Sequence, residues 1–168
     1  ALTDTGHGDV ALALLQQTEY PSWGYMVTKG ATSMWERWNG DTGDVAMNSY
    51  NHYAFGAVTG FMYRRLAGIE ALEPGFKRIL IQPLAGAMPR GGGMYQSVRG
   101  AISTDWTQEN GRLRTLRFTI PANTTALVRI KAPAGALHAT PNGFDVRRAD
   151  ADGFEAEAIA GSYELRFG

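Results

Sequence analysis

Met94-Tyr95-Gln96-Ser97-Val98-Arg99-Gly100-Ala101-Ile102-Ser103-Thr104-Asp105-Trp106 decides the fold of the second half of the chain. Met94, Val98, Ile102, Thr104 and Trp106 share one parity, while Ser97, Arg99, Ser103 and Asp105 share the other. A period of two marks a strand with one face in a core and one in water. Asn110-Gly111 follows, two residues suited to positive φ, and predicts a type I′ hairpin into Leu113–Ile120. There Leu116, Phe118 and Ile120 point one way. Beyond the Pro121–Thr124 turn, Ala126, Val128 and Ile130 repeat the pattern, as do Tyr163, Leu165 and Phe167 at the end. Turn signals stand at Pro141-Asn142-Gly143, Asp152-Gly153 and Gly161. Ile79-Leu80-Ile81 is a continuous apolar run, which predicts a strand buried on both faces. Gly91-Gly92-Gly93 lacks a strand-to-helix setting for phosphate binding and reads as a flexible loop. Several short alternating strands in residues 71–168 predict an antiparallel β-sandwich.

Residues 1–70 read as helical instead, so the fold class is α+β by segment. Asp9 is placed to cap Val10–Gln17, with Val10, Leu14 and Leu15 on one face. Pro21 suits a first helical position and Gly30 a C′ position, which predicts a helix over Pro21–Lys29. Asn48 or Ser49 is placed to cap a longer helix reaching Leu66, with Phe55, Val58, Met62 and Leu66 as its stripe and Gly68 as its stop. Three helices in so short a segment have too little surface to bury alone. The helical part therefore reads as the tail of a larger helical domain attached to a small β domain.

Composition narrows the function classes. Sixteen basic and sixteen acidic residues cancel, and no basic stripe offers itself to nucleic acid. No apolar run approaches a membrane span, and no amphipathic basic helix suggests a membrane surface. Cysteine is absent, which removes disulfides, thiol catalysis and cysteine metal sites. No cofactor is implied. The compartment stays open between cytoplasmic and periplasmic or secreted, and the alanine- and arginine-rich composition fits a bacterial source.

Chemistry concentrates elsewhere. Three of the four tryptophans, Trp23, Trp35 and Trp38, fall within sixteen positions, and Trp35-Glu36-Arg37-Trp38 sets an acid and a base between two indoles. Flat aromatic faces beside a carboxylate suit a sugar ring and acid–base work on it. The competing reading is a loop ion pair between Glu36 and Arg37 beside aromatics that simply pack. Arg37 orients a carboxylate rather than reacting, because it stays protonated. Asn48, Ser49, Asn51, His52 and Tyr53 form a polar cluster, read either as N-capping or as donors to sugar hydroxyls. Asp41 and Asp44 faintly suggest a calcium loop, but its closing glutamate is missing. His7 and His138 stand alone, and no nucleophile elbow occurs.

The segments Glu19–Met26, Gly30–Trp38, Met47–Gly56 and Pro74–Pro83 together resemble bacterial α-L-rhamnosidases of glycoside hydrolase family 78. The resemblance implies the terminal helices of an (α/α)6 barrel followed by a β-sandwich, and inverting hydrolysis of terminal α-L-rhamnosides. It assigns Glu36 as general base and His52 as a sugar-binding residue. Trp35, Trp38, Arg37 and Asn51 are the remaining candidates for substrate contact. The implied partners are a rhamnose-containing glycoside and the rest of the catalytic barrel. The family's general acid belongs to earlier barrel segments, which Asp4 and Asp9 do not match. The chain is thus expected to be a fragment of a larger enzyme or one piece of an assembly, inactive alone.

Two other classes remain at this level. One is a carbohydrate-binding module working through the β-sandwich, with Tyr95 or Trp106 as its exposed aromatics; the in-phase position of Trp106 argues instead for packing. The other keeps the barrel and changes the sugar.

Overall fold

The computed structural model describes residues 2–42, 46, 48–84, 86, 88–132, 137–139, 141–150 and 153–168. Asp44, Met47 and Asp152, named above, lie outside that set. The chain divides into two compact units, Ala1–Gly60 and Phe61–Gly168. A helical segment precedes a sheet-rich one, as expected. Among the described residues no helix is long and apolar enough to cross a membrane.

In the first unit a 3-10 turn, Leu2–Thr5, leads to helix α1, Gly8–Gln16. Asp9 sits inside its first turn, where the helix dipole favours a carboxylate, and does not cap it. The buried face is also displaced from the expected one. Leu12 is buried, while Val10 and Leu14 are exposed. Helix α2 spans Trp23–Thr28, shorter than expected at both ends, because the Ser22 hydroxyl caps it by accepting the Tyr25 N–H at 2.9 Å. Its C-terminal end is a Schellman motif: Ala31 N–H donates to Met26 O and Gly30 N–H to Val27 O, both at 3.0 Å, with Gly30 at φ +82°.

The long helix expected from Asn48 does not start there. His52 N–H is taken by Met34 O at 2.8 Å, and Ser49 O accepts from Glu36 N–H at 2.9 Å. Main-chain groups used in this pairing are not free to begin a helix. Helical winding starts only at a 3-10 turn, Phe55–Ala57, and passes into a short helix α3, Val58–Phe61. The second unit opens with a π-helical segment, Met62–Ala67, stopped by left-handed Gly68 as expected. The wider π turn moves the apolar stripe out of phase, which leaves Met62 exposed and Leu66 buried.

Among the described residues, nine strands form two sheets. The first takes the order β1-β2-β6-β8-β7 (β1 Ile69–Ala71, β2 Arg78–Ile81, β6 Thr125–Ile130, β7 Phe144–Ala149, β8 Phe154–Ala158). The second takes the order β3-β4-β5-β9 (β3 Arg90–Ser97, β4 Gly100–Glu109, β5 Arg112–Ile120, β9 Gly161–Arg166). Every pairing is antiparallel except β2 with β6, which is parallel. Between those two strands the chain crosses to the other sheet to build β3, β4 and β5, a connection long enough for parallel return. Ile79, Ile81, Ala126 and Val128 from one sheet and Ile102, Trp106, Leu116, Phe118 and Leu165 from the other share one core. Leu80 is buried as well, so β2 is covered on both faces as its unbroken apolar run requires.

The stretch from Met94 to Trp106 is two strands, not one. Ser97 pairs with Gly100 across a tight turn at Val98-Arg99, and Ser97 Oγ fastens it by accepting Arg99 N–H at 3.1 Å and donating to Gly100 O at 2.8 Å. The turn reverses the parity: Met94 and Val98 are exposed, while Ile102, Thr104 and Trp106 face inward as expected. The three glycines belong to β3 rather than to a loop. The Asn110-Gly111 hairpin holds, with φ of +51° and +75°.

Candidate active-site loop

The Trp35–Trp38 stretch runs beside residues 48–52, and the two segments are laced together. Glu36 is the central rung. Its N–H donates to Ser49 O at 2.9 Å, and its carboxylate Oε2 accepts the Ser49 N–H at 3.0 Å. Among the described residues the other oxygen, Oε1, takes no hydrogen bond, and the side chain is exposed. The next rung joins Arg37 Nε to Asn48 Oδ1 at 2.6 Å. Glu36 and Arg37 form no ion pair with each other among the described residues, so the reading as a simple loop pair has no geometric support. Ser33 Oγ adds a hydrogen bond to Tyr50 O.

The two flanking indoles differ in setting. Trp35 is 7% exposed, edge-on to Tyr50 at 5.9 Å, with Gly40 packed against its face. The Tyr50 hydroxyl closes that corner by donating to Gly40 O at 2.6 Å. Trp35 therefore faces protein on both sides and supports the loop. Trp38 is half-buried, stacked on Phe55 at 3.8 Å and met edge-on by Trp23 at 5.2 Å. Trp23 is itself fixed by its Nε1 donating to Phe55 O at 3.0 Å. His52 is half-buried with its ring 5.8 Å from that of Tyr53, which stands 88% exposed. Asn51 presents an exposed side chain next to it.

Backbone hydrogen bonds set residues 34–37 beside residues 48–52, which carries Glu36 and His52 on neighbouring segments. Three partners were not legible. Asn48 was read as a helix cap and instead receives Arg37; Ser49 offers a main-chain N–H, which no residue type announces; Phe55 serves as the floor of Trp38. Asp41 meets the Tyr25 hydroxyl at 3.4 Å and the Lys29 ammonium at 3.7 Å. Among the described residues no group of three His, Asp or Glu side chains could hold a metal ion.

Residues 1–66 match the family model of the bacterial alpha-L-rhamnosidase 6 hairpin glycosidase domain, and residues 68–145 that of the bacterial alpha-L-rhamnosidase C-terminal domain. The chain belongs to the bacterial α-L-rhamnosidase family. An α-L-rhamnosidase of Streptomyces avermitilis is 44% identical over 137 residues, covering 78% of this chain and 13% of its own length. One of Formosa agariphila is 38% identical over 135 residues, covering 77% of this chain and 14% of its own length. The crystal structure of the Streptomyces avermitilis α-L-rhamnosidase complexed with L-rhamnose superposes with a TM-score of 0.82 at 38% identity, over 99% of this chain and 17% of that one. The α-L-rhamnosidase of Aspergillus terreus gives 0.78 at 29% identity, over 97% of this chain and 18% of that one. The chain thus spans roughly one-seventh of the length of these curated rhamnosidase relatives.

Proposed function

We propose that this chain is the C-terminal part of an inverting α-L-rhamnosidase and that it carries the general base, Glu36. The observation that carries the reading is the state of the Glu36 carboxylate: one oxygen held on the Ser49 amide, the other open on an exposed loop. A base for water needs that combination of a fixed direction and a free lone pair. Water held at Oε1 gives its proton to Glu36 as its oxygen bonds to the anomeric carbon. The bond to the aglycone oxygen breaks on the opposite face. That leaving oxygen takes a proton from a general acid contributed by the rest of the catalytic barrel, with the two carboxyl groups about 6.5–9.5 Å apart so that water fits between.

His52 and Asn51 are placed to hydrogen-bond sugar hydroxyls, and Trp38 offers the partly open aromatic edge. Trp35 acts from beneath, holding the loop against Tyr50. The substrate is a glycoside with terminal α-L-rhamnose, supported by the L-rhamnose complex of the Streptomyces avermitilis relative.

Glu36→Gln in the complete enzyme carrying this chain is the test. Glutamine keeps an oxygen for the Ser49 N–H and loses the base, so turnover of an aryl α-L-rhamnoside should fall about 10²- to 10⁴-fold with the fold intact. An unchanged rate removes Glu36 from the mechanism. The 168-residue chain by itself should show no turnover.

A further inference from the structure

We propose that Asn48 and Arg37 form a clamp that positions Glu36, making Asn48 a positioning residue of the hydrolytic site; this rests on the reading of Glu36 as the base. Both main-chain groups of Ser49 are committed to Glu36, its O to the glutamate N–H and its N–H to the carboxylate. The direction of the carboxylate therefore depends on the peptide plane between Asn48 and Ser49. Asn48 contributes the carbonyl half of that peptide, and its side chain is held by Arg37 Nε at 2.6 Å. Arg37 directly follows Glu36, so the two contacts are adjacent rungs between the same pair of segments.

The orientation of the Asn48 amide follows from the same contact. Turned over, its Nδ2 would face the guanidinium donor to donor, so Oδ1 takes that side. Nδ2 is left buried without a hydrogen-bond partner. A buried amide donor without a partner costs stability, and the charge-assisted bond at the other end of the amide offsets that cost. Loss of that bond frees the Ser49 peptide to rotate, and the carboxylate with it. Displacing a reacting group by about 1 Å is enough to lower a rate about 100-fold.

The clamp predicts a defined pattern in the complete enzyme. Asn48→Ala lowers kcat about 10- to 100-fold with KM little changed. Asn48→Asp, which keeps an oxygen for Arg37, retains most of kcat. Arg37→Met reproduces the loss, and the pair is not additive. The decisive measurement uses Glu36→Ala with azide as external nucleophile on an aryl α-L-rhamnoside. Azide nitrogen bonds to the anomeric carbon from the face that the activated water would use, and the aryl oxygen leaves with the bonding electrons. Asn48→Ala in that background should leave the azide-dependent rate unchanged, because no base remains to be positioned. An equal fall in both backgrounds, or a raised KM with unchanged kcat, overturns the clamp and makes Asn48 a substrate contact. Full hydrolysis by Glu36→Ala without azide would instead overturn the base and the clamp together. Full activity of Asn48→Ala beside an inactive, azide-rescued Glu36→Ala overturns the clamp alone.

Discussion

Gly91 and Trp106 face each other across β3 and β4, and the indole occupies the space that a side chain at Gly91 would need. A Cβ at Gly91 would stand 2.4 Å from Trp106 Cζ2 and 2.7 Å from Cε2. The indole cannot retreat, since it is fully buried and its Nε1 donates to Leu66 O at 2.7 Å. Gly91→Ala should therefore destabilise the protein by about 1–3 kcal/mol through overpacking. Chemical denaturation checks it, with Gly111→Ala as the control: its Cβ meets nothing within 4 Å, and only the φ of +75° opposes it. A Gly91→Ala loss no larger than the control's would mean that the glycine is not there for the indole.

Trp106 and Thr104 are inward neighbours on β4 that hold successive carbonyls of the π-helical segment. Trp106 Nε1 donates to Leu66 O, and Thr104 Oγ1 donates to Ala67 O at 2.5 Å. A π turn leaves such carbonyls without regular helical partners, and burying one unpaired costs about 1–3 kcal/mol. Thr104→Val keeps the shape and removes the donor, so it isolates the effect. A loss of that size in denaturant midpoint is expected, with slower amide exchange in β4 lost alongside. No measurable change would show that water serves Ala67 O equally well.

Strand identity in this chain was readable where one face meets a core and one meets water: Leu116, Phe118 and Ile120 are all inside, as are Tyr163, Leu165 and Phe167. It failed at β3, where glycines replace the apolar residues. Gly91 carries no side chain because Trp106 fills that space from the neighbouring strand, a Cβ at Gly93 would press on Ala67, and a pattern of side chains cannot show a missing one. The helix expected from Asn48 failed for a related reason. Asn48 and Ser49 do look like caps, but the partners that claim them, Arg37 and Glu36, lie more than ten residues away. In the candidate site the charged and aromatic members were legible by type. The Ser49 amide was not, because a main-chain donor has no composition.

Glu164 carries an acid-sensitive contribution to stability. The hydrogen bond from Arg117, joined by one from Arg166, holds its carboxyl below the ordinary range, against the opposing effect of desolvation. A depressed folded-state pKa means that the contribution is present above the unfolded value of about 4.3 and is lost as pH falls through the folded value. Melting temperatures of Glu164→Gln and the unaltered protein should converge as pH drops from 6 to about 3. A gap that widens toward acid pH would contradict the sign. The effect should also shrink in high salt, since the pair lies at the surface.

Tyr163 gives the opposite limb. Burial raises its phenol above the usual value, although the hydroxyl donates to Ile159 O at 2.9 Å and Gly143 O at 3.2 Å. The folded state retains the proton after the unfolded chain has lost it. Its contribution is complete below about pH 10 and is lost as pH rises from there through the folded value. Tyr163→Phe keeps the ring stacked on Phe118, 4.9 Å between centroids, and removes the titration. It should be less stable than the unaltered protein at pH 7, by the hydrogen bonding of the one hydroxyl proton shared between Ile159 O and Gly143 O, yet lose less stability between pH 9 and 11. Ultraviolet titration supplies the independent reading: one tyrosine that ionises above the ordinary phenol range should disappear in the variant. If the variant falls as steeply as the unaltered protein in alkali, the buried phenol is not what titrates.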